Sequence, residues 1–88
     1  MNSSELIEAG NQQRARHSSE QALQCYAQAF VQDPDCAAAF NNYGNVQREM
    51  GYPERAVPFL QHAATLDPAN ITARFNLAVC YLLQGNYA

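Results

Sequence analysis

The chain has 88 residues, eight acidic and five basic, for a formal net charge of -3. Hydrophobic residues make up 48% and charged residues 15%. That balance argues against disorder and gives no electrostatic reason to expect nucleic acid or an anionic membrane surface as partner. A single domain over residues 1–88 is expected, near the lower end of what buries a useful core. No apolar run approaches the ~20 residues that cross a bilayer. Met1-Asn2-Ser3-Ser4-Glu5 has neither the basic start nor the apolar stretch of a secretory signal. Cys25, Cys36 and Cys80 are isolated, with no C-x-x-C pair, so neither a metal site nor a redox motif is encoded. They read as packing residues, and a reduced, cytoplasmic setting is the simplest expectation.

The sequence predicts five helices. The first spans Ser3 to Arg16. A serine of His17-Ser18-Ser19 can cap the second, which runs from Glu20 to Gln32 and stops at Asp33-Pro34, because proline disfavours helical geometry in the residue before it. Asp35 is expected to cap a third helix, Cys36 to Met50, which Gly51 closes in a left-handed conformation. Pro53 suits the first turn of the fourth helix, where no N–H is required. That helix ends at Asp67-Pro68. Pro58 lies inside it and is expected to bend the rod. Asn70 caps a fifth helix, Ile71 to Gln84, and Gly85 ends it.

A spacing of 34 residues runs through these elements. Gly10, Gly44 and Ala78 are 34 apart; so are Ala22 and Ala56, Ala29 and Ala63, and Asp33-Pro34 and Asp67-Pro68. Such self-similarity marks stacked copies of one supersecondary unit. The small residues are expected where two helices of a hairpin approach closely. Leu6, Tyr26, Phe40, Leu60, Leu66 and Leu77 are expected to fill the space between.

These residues resemble the tetratricopeptide repeat. The match is fullest in Phe40, Tyr43, Gly44, Gly51, Ala56, Leu60, Ala63 and Pro68. It departs from the pattern at Ala9, at Gln13 and Gln47, where only Tyr81 keeps the usual tyrosine, and at Arg74, whose aromatic role Phe75 is expected to take. The resemblance implies an all-α fold, a right-handed superhelical stack of antiparallel helix hairpins. Repeats cover Ser3–Cys36 and Ala37–Asn70, with a truncated third over Ile71–Ala88 whose second helix begins at Asn86-Tyr87-Ala88. It implies a fragment of a longer protein.

The resemblance also implies a non-catalytic scaffold that holds an extended peptide or protein partner on the inner face of the first helix of each repeat. That face carries Asn11, Arg14, Asn41, Asn42, Asn45, Arg48 and Asn76. Asn42 and Asn76 are 34 apart and are expected to stack as a ladder, as are Arg14 and Arg48. An amide both donates to and accepts from a peptide backbone, and arginine holds a carboxylate by paired bonds. Some family members clamp the carboxylate of chaperone tails. Here Asn11 and Asn42 match that set, but Ile7, Thr72 and Asn76 stand at its basic places, which removes the charge-assisted grip. Asn41–Gly51 and Phe75–Ala78, with Leu82–Tyr87, are similar to the repeat arm of O-GlcNAc transferases. That likeness implies the alternative, a substrate arm of a larger glycosyltransferase whose catalytic domain lies beyond residue 88.

No catalytic residues, cofactor or metal are expected. His17 lies in a turn and His62 on the back of a helix, and the sequence places no nucleophile–base set around either. The fifth helix is apolar around most of its circumference. Phe75, Val79, Leu82 and Leu83 are expected to drive self-association, as a homodimer or larger, by end stacking or helix exchange.

Overall fold

The computed structural model describes residues 1–85. The expected start of a sixth helix at Asn86-Tyr87-Ala88 lies outside the described residues. Five helices follow one another: α1 (Ser3–Ala15), α2 (Ser19–Gln32), α3 (Ala37–Glu49), α4 (Pro53–Leu66) and α5 (Ile71–Leu83).

Local chemistry sets their ends. The Asn2 side chain accepts from the Glu5 N–H at 2.8 Å, and the Glu5 carboxylate accepts from the Asn2 N–H at 3.0 Å. This reciprocal capping box is not among the caps read from the sequence. The Asn70 side chain accepts from the N–H groups of Thr72 and Ala73, as expected. Two expected caps are not made. Ser18 precedes α2 without a side-chain bond to it. Asp35 does not cap α3; its N–H donates to the Asp33 carboxylate at 3.3 Å, so Asp33 shapes the turn instead. Pro53 opens α4, and Asp33 and Asp67 follow the last residues of α2 and α4. Pro58 sits exposed within α4, which continues through it.

The three first-of-hairpin helices end alike. His17, Gly51 and Gly85 have φ of 61°, 94° and 76°. After the first two, the next residue closes the turn with the same bond, Ser18 N–H to Gln13 O at 2.9 Å and Tyr52 N–H to Gln47 O at 3.0 Å.

Within each hairpin a glycine lets the helices meet. A Cβ on Gly10 would lie 2.5 Å from the Tyr26 ring, and one on Gly44 would lie 2.7 Å from Leu60 Cγ and 3.2 Å from the Ala56 carbonyl. Ala22, Ala29, Ala56 and Ala63 are fully buried along the facing helices. Ala78, at the equivalent position of α5, is exposed instead, because no described helix lies against it. Phe75 does not substitute for Arg74; both are exposed. Of the expected fillers, Leu6, Tyr26 and Leu60 are buried, while Phe40, Leu66 and Leu77 are half-buried.

Each helix packs on the next in sequence, and α1 touches α3 as α3 touches α5. The even helices approach only through side chains, by the Phe30 and Phe59 rings 6.2 Å apart. The odd helices therefore approach one another more closely than the even ones do. The even side is filled by aromatics: Phe30 stacks on Phe40 at 4.5 Å, Tyr43 meets Phe59 at 4.4 Å, and the His62 ring stands edge-on to Phe40 at 4.4 Å.

Candidate functional site on the inner face of the odd helices

The inner face follows from the helical period. Positions 11 and 14 of α1, and 42, 45 and 49 of α3, are spaced by three or four residues and share one side of each helix. Asn11, Arg14 and Ala15 of α1, Asn42 and Glu49 of α3, His17 of the turn after α1 and Ser19 at the start of α2 line one open groove of about 830 Å³. Asn11, Arg14 and Asn42, three of the sequence-predicted residues, are thus brought together. Asn41, Asn45, Arg48 and Asn76 do not line this groove.

The polar contacts across the face obey a simple register. Equivalent positions are 34 residues apart, yet neighbouring inner helices bond at a separation of 35. Arg14 Nε donates to Glu49 at 2.9 Å, its Nη2 pairs with the second Glu49 oxygen, and Asn76 Nδ2 donates to Asn41 Oδ1 at 3.3 Å. Each inner helix is displaced by one residue against its neighbour. Asn76 therefore meets Asn41 rather than Asn42, and both bonded amides are buried. The position preceding Asn42 by 35 is Ile7, which offers no polar partner, and Asn42 stays half-exposed beside the groove.

Arg14 does not stack on Arg48. Its guanidinium is held side-on by Glu49, and that hydrogen bond is the leading cause of its raised pKa, with burial opposing. The two side chains are 32% and 42% exposed, so solvent screening leaves the pair worth under about 1 kcal/mol. Its main effect is to neutralise the groove. The Tyr26 hydroxyl donates to Asn11 Oδ1 at 2.5 Å, and burial raises the Tyr26 phenol above its ordinary value, with Arg14 opposing.

Glu49 and Tyr26 are the site residues that sequence reasoning missed. The signal for Glu49 was present: it stands one residue after the equivalent of Arg14. The contact offset of 35, unlike the repeat of 34, is a property of helix packing.

Among the described residues, three buried polar atoms have no hydrogen-bond partner: Asn45 Oδ1, Gln47 Oε1 and Arg48 Nε. All lie on α3. His17, Ser19 and Glu49 line the groove together, but among the described residues no hydrogen bond joins them, and Arg14 holds both Glu49 oxygens. Burial raises the thiol pKa of Cys80, which packs against Ala56 and Leu60. Among the described residues no group of histidine, cysteine or carboxylate side chains could hold a metal. Among the same residues, no helix is long and apolar enough to cross a membrane.

Residues 47–88 match a tetratricopeptide repeat family model. Among solved structures, the chain is similar to the crystal structure of the Sgt2 TPR domain from Aspergillus fumigatus. The TM-score is 0.92 and the identity 25%, over 97% of this chain and 56% of that one. The chain thus spans a little over half the length of that structure. The 34-residue register, the glycine-mediated hairpins and the five-helix stack agree with both likenesses: the chain has the fold of a tetratricopeptide-repeat stack, and its residues 47–88 match that family's model.

Proposed function

We propose that this chain is a non-catalytic scaffold that holds an extended peptide, or an extended segment of a protein, on the inner face of α1, α3 and α5. The observation that carries the reading is the groove itself, about 830 Å³ and lined by Asn11, Asn42 and a self-neutralised Arg14–Glu49 pair. Half-exposed Asn42 offers a donor and an acceptor to a peptide backbone at once. The relatives' architecture supports a binding module in general terms. Peptides selected on the immobilised chain from a random library should lose at least roughly fivefold in affinity with Asn42→Ala, about one net hydrogen bond. Selected peptides indifferent to Asn42→Ala and to Asn11→Ala would place binding elsewhere.

A second reading concerns α5. Ile71, Phe75 and Leu82 are 79%, 65% and 59% exposed, and with exposed Ala78 they form one stripe at helical spacing. Leu83 is also exposed, while Val79 is half-buried on another side. We infer that a second copy covers this stripe. The stripe centres near Ala78, so a twofold crossing there sets Phe75 of one copy against Leu82 of the other. The patch is on the order of 400 Å², within the range of the largest apolar patches on monomers. Two copies would bury roughly 800 Å², the size of a weak interface.

A further inference from the structure

Two of the three orphaned groups on α3, Asn45 and Arg48, have satisfied twins in the first repeat. Asn11 and Asn45 are equivalent, 34 residues apart, and so are Arg14 and Arg48. Asn11 Oδ1 receives the Tyr26 hydroxyl; the equivalent of Tyr26 is Leu60, which has nothing to donate, and Asn45 Oδ1 is left unpaired with Asn45 only 7% exposed. Arg14 receives the Glu49 carboxylate; the equivalent of Glu49 is Leu83, and Arg48 Nε is left unpaired. The same polar pair therefore occurs twice, once closed by the protein's own side chains and once open.

We propose that Arg48, with Asn45 beside it, is a receptor for a peptide carboxylate, seated between α3 and α5 where Glu49 sits against Arg14. This rests on the peptide-binding reading above and names what the peptide must carry. Three observations converge on it. A buried guanidinium N–H without an acceptor carries a desolvation cost that a carboxylate removes. The position of the missing partner holds Leu83, which offers no acceptor and is 61% exposed. Arg14 displays the chemistry in place, a carboxylate taken side-on by Nε and Nη2. The other four arginines are placed differently: Arg14 is taken by Glu49, Arg55 lies over the Tyr52 ring at 4.4 Å on α4, and Arg16 and Arg74 are exposed. Asn45 Oδ1 adds an acceptor, so the receptor suits a carboxylate with a peptide N–H close by.

The test uses the ¹⁵N-labelled 88-residue chain and the Nε–Hε signals of its five arginines. Three alanine heptapeptides are titrated: capped with a central glutamate, capped with a central glutamine, and glutamine-centred with a free C-terminal carboxylate. The Arg48 signal should move with a carboxylate peptide while the Arg14 signal stays. Whichever of the two acidic peptides is tighter identifies a side-chain or terminal carboxylate as the source. Arg48→Gln should remove the preference over the capped glutamine peptide, roughly tenfold for a charge-assisted bond. Leu83→Glu should remove it too, by supplying an internal carboxylate without touching Arg48. If inner-face amides shift but Arg48 does not, or if acidic preference survives in both variants, the carboxylate receptor is refuted and the peptide reading stands. If no inner-face amide responds to any peptide, both fail.

Discussion

His17 holds a φ of 61° at the position where the next two turns use Gly51 and Gly85. A side chain in this left-handed region costs about 1–2 kcal/mol, because Cβ crowds the following carbonyl. Glycine carries no such cost, though it loses more freedom on folding. His17→Gly should therefore stabilise the chain by about 0.5–1 kcal/mol, read as a higher urea midpoint with unchanged slope. A lower midpoint would mean that the imidazole makes a compensating contact. The residue scale also separates what sequence could and could not give. Positive φ at Gly51 and Gly85 is legible, since glycine favours it. At His17 it is legible only from the register, as the residue 34 before Gly51. The capping of α1 by Asn2 and Glu5 follows from a three-residue spacing in the sequence. By contrast, Asp35 and Ser18 are competent caps that other turn geometry leaves unused.

Between elements, the hairpins differ in one telling substitution. In the first, Gly10 leaves room for the Tyr26 ring, whose hydroxyl reaches Asn11. In the second, Gly44 leaves the same room opposite Leu60, and Asn45 goes without its donor. Leu60→Tyr should fill that room and bond Asn45 Oδ1, stabilising by about 1 kcal/mol; chemical denaturation checks the sign. A loss of stability would show that the α3–α4 gap rejects the ring. The helices, their order and the glycine contacts were legible because 34-residue spacing specifies equivalent positions directly. The pairing of neighbouring inner helices was not. It depends on how far one helix slides past the next, and the slide of one residue is what joins Arg14 to Glu49 and Asn76 to Asn41. An asparagine ladder of Asn42 on Asn76 assumed no slide. The aromatic layer of Phe30, Phe40, Tyr43, Phe59 and His62 escaped notice for a related reason, since it joins three helices across two repeats.

At the scale of the whole molecule, the stack measures 42 × 27 × 17 Å, a slab with a polar face along the odd helices and an apolar edge at α5. If a second copy covers that edge, sedimentation should show weak, concentration-dependent dimerisation that Phe75→Glu with Leu82→Glu abolishes. Leu83 is left intact in that pair because a carboxylate there faces Arg48. A chain that is monomeric at every concentration, or a double variant that still dimerises, would exclude the α5 interface. Peptide binding on the inner face of α1, α3 and α5, as proposed above, is open to direct test. The most direct measurement is an amide chemical-shift map of the ¹⁵N-labelled chain with a library-selected peptide bound. Shifts should concentrate at Asn11, Asn42, Asn45 and Arg48, with the outer faces of α2 and α4 unmoved. Shifts confined to the aromatic side around Phe59 and His62 would contradict it.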